Sequence, residues 1–219
     1  MGTVTKLSTG FHTLLHSEIG NFFDVSYQHV AIAVYFDHRD LAHLAAHFYS
    51  RAEEKRRNAL MVIRYFVDRN MSVELPAVGA AVSGFTDVHA PLALALENEN
   101  RLTDDIAELT RTAREEGDYL GEQFGQWFLQ EQVDEVARMN SLVTTARGAG
   151  GNLFRLETFV ERELAGAPDK VGAPPPPSGT VWISRARAEA YRRIQCPIAL
   201  NDLGIANPEI AQLRQYSEK

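Results

Sequence analysis

Between Leu7 and Arg147, four long runs carry apolar residues at three- and four-residue spacing, the period of helices that each bury one face. In the first, residues 8–36, the apolar positions are Phe11, Leu15, Ile19, Phe22, Phe23, Val30 and Val34. In the second, residues 39–68, they are Leu41, Leu44, Phe48, Ala52, Leu60, Ile63 and Val67. Only DHRD intervenes, so the two are expected to lie antiparallel. Residues 70–91, NMSVELPAVGAAVSGFTDVHAP, hold proline and glycine without a helical period and read as a connection that can cross a bundle from end to end. A third helix is expected over 89–116 and a fourth from 117 or 118 to 147. This order predicts an all-α four-helix bundle with one long crossover.

After GAGG, the stretch NLFRLETFVEREL predicts a short fifth helix over 152–164. The chain therefore divides into a helical domain over 1–165, a Pro/Gly linker over 166–180 and a C-terminal extension over 181–219, with helical pattern in SRARAEAYRRI and NPEIAQLRQY. The 219 residues, 45% hydrophobic and 23% charged, suit a soluble globular protein. HVAIAVYF, the longest apolar run, is far below the ~20 residues of a membrane span, and MGTVTKLSTG has no apolar signal region, so a cytoplasmic location without membrane contact is expected. A single cysteine, Cys196, excludes an intrachain disulfide and a cysteine-rich metal site. The net charge of −7 points away from nucleic acid and toward cationic partners, metal ions included.

The stretches HVAIAVYFD, LAHLAAHFYSRAEE, ALALENE, EGDYLGEQFGQWFLQEQVDEVA and GNLFRLETFV resemble the non-haem ferritins, most closely the actinobacterial type. The resemblance implies a ferritin-like five-helix subunit, a homo-oligomeric shell of about 24 copies, and iron, taken up as Fe(II) and stored as an iron(III) mineral. In active ferritin subunits a glutamate on the first helix, a Glu-x-x-His pair on the second, a glutamate on the third and a glutamine or glutamate on the fourth surround two irons. Here those positions hold Phe22, Lys55 and Asn58, Glu99, and Gln132, and His29 replaces a nearby tyrosine. RAEEKR resembles the same segment of animal light-type subunits, which lack these ligands. Without iron, Glu99 would be buried and unpaired, so an ion pair with Lys55 is expected. The alternative is a Lys55 that points to the lumen beside a solvated Glu99. A second alternative rebuilds an iron site from His29, Glu99 and Glu18.

Glu131, Asp134 and Glu135 share one face of the fourth helix at i, i+3 and i+4. They match an accessory iron site of bacterial ferritins, to which Glu54 would add a carboxylate, and with Glu53 they would form an acidic inner patch for metal. The alternative is a solvated acidic face. Glu122 matches the acidic lining of the family's three-fold channels, where a neighbouring acidic position is Gly125. No haem is expected, since Met61 and Met71 read as gap-filling residues, and Trp127 and Trp182 as packing aromatics.

The leading expectation is thus an iron-storage subunit with a degenerate ferroxidase centre and no efficient oxidation of its own, either self-assembled or co-assembled with an active subunit. One alternative is an enzyme, a ferroxidase remodelled around Glu54, Glu99, Gln132 and the fourth-helix carboxylates. Another is a shell or adaptor whose tail, with Arg185, Arg187, Tyr191, Arg192 and Arg193, recruits an as yet unknown partner.

Overall fold

The computed structural model describes residues 10–164. The linker and extension expected over 166–219, with Trp182, Cys196 and the tail arginines, lie outside the described residues.

Four long helices form the body: α1 (Gly10–Asp37), α2 (Ala42–Asp68), α3 (His89–Glu115) and α4 (Tyr119–Gly148). α5 (Leu153–Phe159) follows and runs into a π-helical turn, Val160–Leu164. α1 packs chiefly against α2, and α3 against α4. Asp40 at φ 56° closes the α1–α2 turn and Gly117 at φ 72° the α3–α4 turn, left-handed positions that suit Asp and Gly. Residues 69–88 cross the bundle and dock on α1, where Asp24 accepts from Gly79 N at 2.6 Å and Gln28 exchanges two hydrogen bonds with Val82.

Side-chain oxygens fix several helix starts. Asp118 and Asn152 cap α4 and α5 with their own side chains. α1 and α2 instead borrow distant acids: Glu116 accepts from Gly10 N and Phe11 N, and Glu157 on α5 accepts from His43 N and Leu44 N at 2.9 Å each. The latter contact ties α5 to the start of α2, where negative charge meets unpaired N–H groups.

The apolar stripes differ from expectation in two places. On α2 the core takes Ala59, Val62 and Phe66, while Leu60 and Ile63 are half-buried and Val67 is 58% exposed. On α1, His29, Ile32, Ala33 and Phe36 turn inward, with Val30 half-buried and Val34 exposed. Each shift follows from a polar residue, Lys55 or His29, that occupies a core position the apolar count had skipped.

The core consists of two apolar clusters. One holds Phe11 to Val25 of α1 with Ala59 to Phe66, Leu102 to Ala113 and Phe128; the other holds Ile32 to Phe36 with Leu41 to Phe48, Leu92, Ala95, Met139 to Ala146, Leu156 and Val160. On every long helix the stretch between the two clusters carries buried polar residues: Ser26, Gln28 and His29; Glu54, Lys55 and Asn58; Asn98 and Glu99; Glu131, Gln132 and Glu135. Four helices thus place their buried polar groups at one level, the waist of the bundle.

Candidate functional site at the waist of the bundle

Lys55 is 1% exposed and Glu99 fully buried. Lys55 Nζ donates to Glu99 Oε2 at 2.6 Å and to Gln132 Oε1 at 3.0 Å. The Gln132 amide donates in turn to Glu99 Oε2 at 3.1 Å, so Glu99 is held from both α2 and α4. Desolvation by itself would lower the Lys55 pKa, but the attraction of Glu99 and Glu135 outweighs it and raises it. The ammonium therefore stays charged at neutral pH. Phe22 is fully buried and meets Phe128 with ring centroids 5.3 Å apart. Neither a lumen-facing Lys55 nor a solvated Glu99 is observed.

His29 lies 3.7 Å from Glu99 Oε1, beyond hydrogen-bond reach, and packs edge-on against Phe48. Burial, then the positive charge of Lys55, drives its pKa down to about 3, so it is neutral here. Glu18 does not join it: Glu18 pairs with Asn21, and among the described residues no three His, Cys, Asp or Glu side chains converge as a metal-binding group. His29, Glu99 and Glu18 therefore do not form the rebuilt iron site that ligand chemistry allowed.

The second acidic set is engaged by cations rather than gathered around an empty centre. Arg51 Nη1 lies 2.6 Å from Glu54 and 2.8 Å from Glu135, which also pairs with Arg138. Asn58 donates to Glu131 Oε2 at 2.9 Å. Burial would raise the Glu135 pKa, but Lys55, Arg51 and Arg138 pull it down to about 2. Glu53 and Asp134 are exposed, and Glu53 pairs with Arg56. The five acids expected as one patch are thus split: Glu54, Glu131 and Glu135 buried at the waist, Glu53 and Asp134 in solvent. Sequence reasoning did not weigh Arg51 and Arg138. Their spacing three residues from Glu54 and Glu135 was the available signal.

Residues 12–149 match the family described as Ferritin-like domain. The chain belongs to the ferritin family. Ferritin BfrB of Mycobacterium tuberculosis is 52% identical over 166 residues, which cover 76% of this chain and 92% of that protein. Ferritin BfrB of Mycolicibacterium smegmatis is 49% identical over 161 residues, 74% of this chain and 89% of that one. Among solved structures, the open pore ferritin of Archaeoglobus fulgidus superposes with a TM-score of 0.67 at 25% identity, covering 71% of this chain and 96% of that one.

Glu122 accepts from Arg114 Nε at 2.8 Å and from Gln126. Gly125 is buried in the α3–α4 seam, where a Cβ would meet Thr110 Oγ1 at 2.4 Å. Its lack of an acidic side chain follows from close helix packing. Met61 is buried and Met71 packs at the edge of the same cluster, as does Trp127, which meets Phe128 edge-on. No described helix is long and apolar enough to cross a membrane.

Proposed function

We propose that this chain is an iron-storage subunit of a ferritin shell whose own ferroxidase centre is degenerate. The observation that carries the reading is the Lys55 ammonium between Glu99 and Gln132. A dinuclear iron site needs several anionic or imidazole ligands around two dications. Here Glu99 is already neutralised by an ammonium, Phe22 is fully buried beside Phe128, and Asn58 is committed to Glu131.

Shell formation is supported by apolar side chains left in solvent on α1 and on the connection, Tyr27, Val34, Val78 and Val82, a surface suited to a second copy of the subunit. An assembly of 24 copies and a cytoplasmic location accord with this reading. Co-assembly with an active ferritin subunit would supply the oxidation this chain lacks. Nucleation of mineral then falls to carboxylates such as Glu53 and Asp134 that remain in solvent, and iron ions approach as cargo through channels where Arg114 tempers Glu122.

Stopped-flow oxidation of about two Fe(II) per subunit by the assembled protein tests the proposal. The expected trace has no fast phase, with mineral growth restored when an active subunit is mixed in before assembly. A fast phase from this protein alone, abolished by Glu54→Ala, would replace the proposal with a remodelled ferroxidase.

A further inference from the structure

Outside the waist, α1 and α3 bring together a second pair of acids. Glu18 is 3% exposed, while Asp105 and Asn21 are half-buried and reach solvent. Asn21 Nδ2 donates to Glu18 Oε1 at 2.9 Å and to Asp105 Oδ2 at 3.3 Å, so one amide group joins carboxylates from two helices. Glu18 Oε2 is buried and accepts no hydrogen bond from the described residues. Arg101, one turn before Asp105 on α3, is exposed and acts on the pair only through space. Burial, then Asp105, pushes the Glu18 pKa up to about 8, and burial raises that of Asp105.

Two acids that share one amide donor, one of them with a buried oxygen unsatisfied, are stabilised by added positive charge. The donor set favours a metal cation as its source. It comprises two carboxylates and an amide that can present its oxygen by a half-turn of the side chain, all hard oxygen ligands. The solvent-facing side at Asp105 gives a cation access and leaves coordination positions for water, as Mg²⁺, Mn²⁺ and Ca²⁺ require.

We propose that Glu18, Asp105 and Asn21 form a binding site for a hard divalent cation that bridges α1 and α3. Binding exchanges the Glu18 proton for the cation: the metal–oxygen bonds form as the O–H bond breaks, and the proton leaves to solvent. The site is independent of how the waist handles iron, and it lies one helical turn before Phe22.

Mn²⁺ titration of the assembled full-length protein at pH 7, followed by the EPR signal of free Mn²⁺ and by proton release, tests it. Wild type should bind one more Mn²⁺ per subunit than Glu18→Gln or Asp105→Asn, and release about one proton for that ion. Identical Mn²⁺ binding in all three proteins would overturn the proposal. So would a Glu18→Gln variant that melts higher yet binds Mn²⁺ as wild type does, because a resident proton would then account for the pair.

Discussion

Glu99 and Glu18 are both almost wholly removed from water, on neighbouring helices of one bundle, and their surroundings treat them in opposite ways. Glu99 receives an ammonium from α2 and an amide from α4. Glu18 receives one amide, which it shares with another acid, Asp105. The same depth of burial therefore yields a locked counter-ion in one place and a carboxyl pushed toward its neutral form in the other. Depth alone decides little; the charge of the nearest partner decides the state.

Removing the cation from the favourable case is the most severe way to break this contrast. Lys55→Met leaves Glu99 buried without its positive partner, and a loss of about 3 to 5 kcal/mol in unfolding free energy is expected, read by denaturant titration of the assembled protein. Glu99→Gln alone strands the ammonium and should cost a similar amount. The double variant should recover much of the loss, because two neutral groups of similar shape need no charge compensation. If the two single losses simply added, Lys55 and Glu99 would not be coupled through their charges.

Arg51 and Arg138 extend the comparison to the second acidic set. Combining Arg51→Gln with Arg138→Leu removes the guanidinium partners of Glu54 and Glu135, with an expected loss of about 1 to 3 kcal/mol. The same variant should gain affinity for Tb³⁺ or Fe(II), since a metal ion can then supply the missing charge; unchanged metal binding would mean that the arginines are not stand-ins for a cation. Acid gives an independent check. With its native pKa pulled down to about 2, Glu135 contributes stability that is fully present above about pH 4.5 and declines as pH falls from there toward 2. The arginine double variant should show a shallower decline over that window.

How far the sequence revealed these regions depended on whether the deciding contact is local. Helical period alone located α1 to α4 to within a few residues, since each buries a long stripe. The stripe on α2 slipped by one residue at Leu60, Ile63 and Val67 because Lys55 and Asn58 look like surface residues. Once both are accepted as inward, Leu44, Phe48, Ala52, Lys55, Ala59, Val62 and Phe66 form one continuous face. The reason for accepting them came from likeness to a family, as no periodicity argument turns a lysine inward. The bonds from Arg51 to Glu135 and from Asn58 to Glu131 join residues 84 and 73 positions apart, and Glu18 meets Asp105 by way of Asn21 in the same fashion. Such pairings are set by helix rotation in the folded bundle, which sequence spacing along one helix cannot report.

Neutralising the unfavourable case should reverse the sign of the effect. Glu18 titrates near 4.5 in the unfolded chain and about 8 in the native one, so its ionisation favours unfolding increasingly as pH rises from 4.5 to 8. In metal-free buffer, Glu18→Gln should leave stability near wild type at pH 4.5 and raise it by about 1 to 2 kcal/mol at pH 6. Excess Mn²⁺ should shrink that gain by stabilising wild type alone. Equal stability of the two proteins at both pH values would remove Glu18 from the comparison.

The mildest test concerns acids that need no side-chain cation. Glu157 stands at the start of α2 and satisfies two backbone N–H groups, those of His43 and Leu44, while the N-cap residue Leu41 provides no side-chain acceptor. Its stabilisation comes from unpaired donors and the positive end of the helix, a half-buried arrangement worth about 1 kcal/mol. Glu157→Gln keeps one acceptor oxygen and should cost less than Glu157→Ala. Because the contact is also the hydrogen-bonded tie between α5 and α2, the loss should be local: amide hydrogen exchange should quicken over 153–164 and at residues 43 and 44, with little change at the waist. Faster exchange at residues 55–59 as well would show that α5 supports the buried charges, and the two levels of the bundle would then have to be treated as one cooperative unit.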